Sequence, residues 1–543
     1  DRFGHFFIDP LLSVEYVERE KNAVHSEYQM QIKDDGWRGY MVSKLALNPE
    51  HPGSRFTIGS LETLKGDVRT DLMEFFADHY SADQMGLVVL ANQSLDELEA
   101  LVTPLFNQVR NVDIGSSFPT EPVFSDQQLP AVLTSQTLKD TYGLAFNFPI
   151  PSTLEVYRNK PEQYLSNLIG HEGEGSLYQL LNAKGWIESL GAGSQDFDRN
   201  TSLLTVNIQL TEAGRDHIEE ITDLLFQYLD MLRAQPPKDW LYQEQARVAE
   251  LAFRFQEKGS TVGFVYQMAP KLDLFPAEDL LVAPYLMEAF DPALIEKFLG
   301  HLRPDNVLLE ITAPDSATDQ VERWFEVPFA LEQAPLKRQT VADAPLRLPE
   351  VNPYLPEQLD LVAADEQIMR RLIDQPELKL WLDTDIEFGT PRANMTVGLL
   401  TQTGFLSASN QAQAQLYQDL VNDSLSATVY PAYLAGLGYS IAVADSGFAI
   451  SVNGYQDKQM ALLNTVTQRL FSADISAERF ATIKRSLIKD WRNSLKDKPY
   501  VQALGALGDT LLSGSWPATD LADALEPVTL DALMQWRNQQ LKD

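Results

Sequence analysis

Two blocks of this sequence recur at long range, and that duplication limits the possible folds more than any single motif. Glu296–Asn306 (EKFLGHLRPDN) leads into the apolar run Val307–Thr312 (VLLEIT), after which Ser316 is expected to open a helix, SATDQVERWF. Earlier, a helix ending in EFFADHYSAD (Glu74–Asp83) leads into MGLVVLA (Met85–Ala91), read as a strand. Ser94 then starts a helix with Glu97 three residues on, the capping-box spacing. Aligning His79 with His301 superposes the two blocks at a shift of 222 residues. Ala532–Asp543 (ALMQWRNQQLKD) gives a third trace, with Leu541 matching Leu302 and a strand expected next.

The second block is Ser176–Trp186 (SLYQLLNAKGW), a helix closing on glycine, followed by the alternating strand Leu203–Leu210 and a helix from Thr211. It returns 248 residues later as Ser424–Tyr439, the strand Phe448–Tyr455 and a helix from about Asp457. Repeats this long are domain duplications and not solenoid units. Each mixes period-two strands with amphipathic helices, which predicts an α+β architecture of homologous domains, each a mostly antiparallel sheet packed against helices. Val327–Glu357 has six prolines and little periodicity and reads as a stiff linker. The expected partition is residues 1–115 as the later part of a first domain, 116–326 as a second, 327–357 as linker and 358–543 as a third.

Formal net charge is −34, from 77 acidic and 43 basic residues. The field of such a chain repels polyanions, which argues against nucleic acid and anionic membrane surfaces as partners. No run approaches the uncharged apolar length a membrane helix needs. Cysteine is absent, so any metal must be held by His, Asp or Glu. The opening DRFGHFFIDP has neither an initiator Met nor a signal-peptide pattern and reads as an internal fragment or a processed chain.

The helix expected over Ser13–Lys33 contains an anomaly. At roughly 100° per residue, Val17, Val24 and Tyr28 form an apolar stripe, and Glu20 and Glu27 fall on the same side. A carboxylate facing a core is costly unless it is paired or metal-bound. Buried ion pairs, or a helix end near water, are the ordinary explanation; a metal ligand with a supporting carboxylate is the sharper one. The seven histidines (5, 25, 51, 79, 171, 217 and 301) include no pair four apart, so neither H-E-x-x-H nor H-x-x-E-H is present. A catalytic zinc usually takes three protein ligands, and no such set stands out. His171–Ser176 (HEGEGS) lacks the lysine of a phosphate-binding loop and reads as a tight helical segment.

The order of motifs adds to this. Glu18–Tyr28 (EREKNAVHSEY) followed by Asn48–Leu64 (NPEHPGSRFTIGSLETL), then Thr141–Pro151, Leu168–Trp186 and Ala435–Gln459, resembles the pitrilysin/insulin-degrading-enzyme family of zinc metallopeptidases over essentially the whole chain. The resemblance implies a zinc held by two histidines of an H-x-x-E-H segment, expected before Asp1, and by a glutamate matching Glu27. A second acidic residue of the family matches Glu20. Seven residues at about 1.5 Å each separate the two carboxylates by roughly 10 Å, so both cannot bind one ion. Glu27 as ligand and Glu20 as its support is the consistent division.

The resemblance further implies metal-assisted hydrolysis of peptides in an enclosed chamber, with one zinc in the intact enzyme and none held by this chain alone, which is then inactive. The family's anchor for a substrate N-terminus matches Gly170 and Glu172, and its edge strand matches Leu190, Gly191 and Ala192. Physically this is strand addition plus a carboxylate capturing an α-ammonium group. Ala192, Ser194, Gln163 and Asn167 depart from the family pattern, so peptide preference does not carry over. A periplasmic location is expected, with the cytoplasm as alternative. Two other readings stand beside this one: a non-catalytic relative that binds peptides or partners, and an acidic repeated scaffold whose glutamates are structural.

Overall fold

The computed structural model describes residues 2–115, 118–342, 344–361, 369–401, 406–512 and 514–541. The strands are β1 (Ala131–Ser135), β2 (Tyr142–Pro151), β3 (Ile187–Asp196), β4 (Thr201–Leu210), β5 (Leu308–Thr312), β6 (Gln320–Val321), β7 (Pro328–Glu332), β8 (Arg370–Asp374), β9 (Lys379–Leu382), β10 (Arg392–Leu400), β11 (Gly438–Ala444) and β12 (Gly447–Tyr455). The first seven form one sheet in the order β3-β4-β2-β5-β1-β7-β6, β10-β12-β11 form a second, and β8-β9 form a hairpin. Only the β1–β5 pair is parallel among those whose register is defined in the first sheet. Alternation drives the pairing: β2 buries every second residue along its ten, as expected for a strand with one face in a core.

The described residues divide into two compact units, Asp1–Gln163 with Gly193–Asn207 and Lys258–Lys337, and Tyr164–Ala192 with Ile208–Glu257 and Arg338–Asp543. In the first, the helices Val14–Gln31 and Asp35–Ser43 place Tyr28, Met41 and Val42 against Ala131, Leu133, Leu308 and Phe329 of the sheet. Asp34 caps the second helix by accepting from the Gly36 and Trp37 amides. Tyr28 lies edge-on to Phe56 and Phe325 and donates its hydroxyl to the Trp324 carbonyl.

In the second unit, the helix Ala408–Leu434 buries Leu416, Tyr417, Leu420, Val421 and Leu425 against β11, β12 and the helices Gln459–Ser472, Ala518–Leu525 and Leu530–Gln540. The predicted duplication is visible. Leu177–Ala183, β3, β4 and Ile218–Arg233 run helix–strand–strand–helix, as do Ala408–Leu434, β11, β12 and Gln459–Ser472. Both first helices close on a left-handed glycine, Gly185 at φ +69° and Gly436 at φ +78°.

Several expectations change. Met85–Ala91 is not a strand: apolar alternation marks what a segment can bury, but a strand needs a neighbour, and none of the described residues pairs with it. Leu87, Val89 and Leu90 stay 41–48% exposed. The helix from Ser316 is replaced by the short β6–β7 pairing. Glu322 accepts from the Trp324 and Phe325 amides and its own amide donates to Val327, so these backbone groups close a turn. Within the stretch 327–357, read as a stiff linker, the structure shows specific local pairing. Residues 328–332 are β7, and further on Asp223 holds both the Arg338 guanidinium and the Val341 amide, while Arg347 donates its amide to Gly175. His171–Ser176 forms a turn ahead of the Leu177–Ala183 helix, with Gly175 at φ +80°, and not a helical segment. Lys542 and Asp543 of the third trace lie outside the described residues.

The last change concerns Glu20 and Glu27. Val17 and Tyr28 are buried as the stripe predicts, but both glutamates are exposed. The helix packs through a narrower strip than its pattern suggests. Glu20 pairs with the neighbouring Arg19 at 3.1 Å, and neither exposed carboxylate carries the burial cost that singled it out.

Candidate functional site

The helix Pro161–Ile169 stops at Gly170, where the chain runs close to β3. A Cβ on Gly170 would sit 3.0 Å from the Ala192 amide nitrogen and 3.1 Å from the Ser166 carbonyl oxygen, so any larger residue would have to push these backbones apart by a few tenths of an ångström. β3 is an edge of its sheet, and an edge strand presents a row of unpaired N–H and C=O groups. Leu190 anchors it inward at 4% exposure, whereas Gly191 is open and Ala192 half-buried. Of the residues expected from the sequence, the structure brings Gly170 against Ala192 of β3, with Glu172 two residues further along the chain and Leu190 and Gly191 next to Ala192 on the strand.

Glu172 is half-buried, and burial raises its carboxyl above the ordinary glutamate range. It has no ion-pair or hydrogen-bond partner among the described residues. Its charge is felt by three phenols: Tyr178, Tyr430 and Tyr439 are all raised, by their own burial first and by Glu172 next, with Tyr439 pushed up to about 12. Tyr430 donates to the Gly170 carbonyl at 3.2 Å. His171 stands edge-on to Tyr430, with ring centroids 4.7 Å apart, and accepts from the Gly173 amide at 2.9 Å. Burial depresses His171 to about 4, so its ring is neutral at physiological pH. The result is one carboxylate with no counter-ion among the described residues, near neutral polar aromatics and two residues from the glycine that abuts β3. Such a corner suits a cationic group with several N–H donors.

His171, Tyr178, Tyr430 and Tyr439 are absent from the sequence prediction. Tyr430 is more than 250 residues from Glu172 along the chain, and no local pattern marks it as a neighbour.

Glu20 and Glu27 present a different picture. Among the described residues no three His, Asp or Glu side chains converge in a way that could hold a metal ion. A zinc site needs at least three protein ligands. The described residues therefore do not by themselves fit zinc, and Glu27 can be at most one member of a set.

The duplicated helix–strand–strand–helix blocks and the mixed sheet packed against helices define an α+β class of repeated domains. The chain belongs to peptidase family M16. Residues 67–248 match the family model described as the peptidase M16 inactive domain, and residues 253–524 that described as the middle or third domain of peptidase M16. Insulin-degrading enzyme of Bos taurus is 34% identical over 551 residues, covering 98% of this chain and 54% of the relative. Insulin-degrading enzyme-like 1, peroxisomal, of Arabidopsis thaliana is 32% identical over 542 residues, covering 97% and 56%. The crystal structure of pitrilysin superposes with a TM-score of 0.71 at 25% identity, over 99% of this chain and 59% of that one. The chain spans about half the length of the curated relatives it matches. The family resemblance and the α+β fold class both hold. A relative named as peroxisomal shows that the family does not fix a compartment, and no helix among the described residues is long and apolar enough to cross a membrane.

Proposed function

We propose that this chain is the peptide-holding part of an M16 metallopeptidase. A substrate peptide adds to the free edge of β3 at Leu190–Ala192 and places its α-ammonium group against Glu172 and the Gly170 carbonyl. The observation that supports this reading is the close backbone approach two residues ahead of Glu172, where a Cβ on Gly170 would sit 3.0 Å from the Ala192 amide nitrogen of the edge strand β3. Backbone pairing supplies affinity without demanding a particular sequence, and the carboxylate selects a free N-terminus. In the intact enzyme Glu27 would be one ligand of a zinc whose other ligands are not among the described residues, with Glu20 orienting it. The second domain, residues 116–326, carries the anchor, and peptides would be hydrolysed inside a chamber formed by the whole protein. The chain by itself does not hydrolyse them.

The test uses one fluorescent peptide with a free or an acetylated N-terminus, titrated with the 543-residue chain. Acetylation is expected to weaken binding at least tenfold, and Glu172→Gln to remove that difference. Equal affinity of the unmodified chain for both peptides would refute the reading. Exposure of Glu27 favours a second reading, a family member that binds peptides without a metal; zinc analysis of the full-length protein separates the two.

A further inference from the structure

A second, separate cavity lies in the first unit, against the face of the large sheet that carries Asn147, Thr205 and Glu310. Its volume is about 1020 Å³, ample for a long side chain with some flanking backbone. The walls are apolar and aromatic, with Tyr40, Phe124, Phe197 and Leu203 among them.

The charged groups around the cavity are, with one exception, already engaged. Lys44 donates to the Gly53 and Arg55 carbonyls at 2.8 and 3.0 Å. His51 contacts Asp198 at 3.2 Å, and Asp198 also accepts from the Asn200 and Thr201 amides. Asp196 accepts from the Thr153 and Ser202 hydroxyls at 2.7 and 2.6 Å. Arg199 pairs with Asp273. Asn147 accepts from Thr205 at 2.9 Å. Glu310, in the middle of β5 between Ala145 of β2 and Leu133 of β1, is the exception: it lines the cavity with no hydrogen-bond or ion-pair partner among the described residues.

We infer that this cavity is a binding site for a guanidinium or ammonium group on an aliphatic stem, of the arginine or lysine side-chain type, with Glu310 as its counter-ion. An acid on a strand in the middle of a sheet, facing a largely apolar cavity with no partner of its own among the described residues, is costly to retain unless something pairs with it. The apolar walls match an aliphatic stem, and the carboxylate matches the cationic head at its end. Burial raises the Glu310 carboxyl to about 7, so a cation entering near neutral pH would displace its proton. This site shares no residue with the Glu172 corner, and the two assignments are independent of each other.

Calorimetry on the 543-residue chain with N-acetyl-arginine methylamide and its citrulline counterpart tests it. The arginine compound is expected to bind at least tenfold tighter than the neutral one, with release of a proton at pH 6.5 shown by buffers of different ionisation enthalpy. Between pH 6 and pH 8 its affinity should rise about tenfold, following ionisation of a carboxyl near 7. Glu310→Gln should abolish both the preference and the pH dependence, although His51, the Asp198 and Asp196 carboxylates and the Arg199–Asp273 pair remain. Glu172→Gln should alter neither. Equal binding of the two compounds, no binding of the arginine compound, or a preference that survives in Glu310→Gln would overturn the assignment. Should the variant fold poorly, the pH profile of the unmodified chain decides instead: an affinity that stays flat from pH 6 to pH 8 overturns the assignment equally.

Discussion

The Tyr430 hydroxyl donates a 3.2 Å hydrogen bond to the Gly170 carbonyl, joining a residue of the second helix–strand–strand–helix block to the turn that carries Glu172. The bond orients the carbonyl, and the phenol stands close enough to Glu172 to feel its charge.

Tyr430→Phe removes this donor while keeping the ring against His171. Affinity for a peptide with a free N-terminus should fall by about 1 kcal/mol, roughly fivefold, the usual net worth of one hydrogen bond. Anisotropy titration of matched peptides checks this, and the acetylated peptide should be affected less.

Gly170→Ala should destabilise the chain by about 1–3 kcal/mol, because the new methyl group meets two backbone atoms and no flexible side chain that could yield. Gly191→Ala should be far milder, since nothing lies within 4 Å of that position. Denaturant midpoints at constant slope report the contrast.

The pH dependence of stability has an identifiable contributor in Glu162, in the first turn of the Pro161–Ile169 helix. Burial raises its carboxyl from 4.5 to about 7, and its Oε2 has no hydrogen-bond partner. The folded state therefore holds the proton more tightly than the unfolded chain. Stability from this group is complete below about pH 4.5 and is lost as pH rises through about 7, by about 3 kcal/mol in all. Glu162→Gln should flatten that part of the profile in unfolding experiments from pH 4.5 to 8.

Glu27→Gln should leave the stability of this chain within about 0.5 kcal/mol of the parent, since the side chain is exposed. A zinc titration of the 543-residue chain should show no tight stoichiometric site, because no three ligands converge among the described residues. A nanomolar one-to-one complex would contradict this.

The fold class was legible in the sequence for physical reasons, whereas the anchor residues came only from the family resemblance. Alternation in β4 marks one buried face, the Ser94–Glu97 spacing marks a helix start, and the glycine at 185 marks a helix end. What failed depended on neighbours. Met85–Ala91 has the pattern of a strand but no strand partner among the described residues, and Glu20 and Glu27 share a side with an apolar stripe that the described residues leave exposed at their positions. Tyr430 and Glu310 were invisible because their significance lies in what surrounds them: a distant carbonyl in one case, an apolar cavity in the other.

The two glycines of the open strand bear on self-association. Nothing lies within 4 Å of a Cβ at Gly191 or Gly193, so packing does not demand them. An unpaired edge invites polymerisation with other copies of the same protein. Pairing two such edges would order glycines on both sides, at the highest entropic cost of any residue, and would bring few side chains into contact across that stretch. A β-branched peptide bears that cost on one side only. The bare edge therefore disfavours its own kind while staying available to strangers.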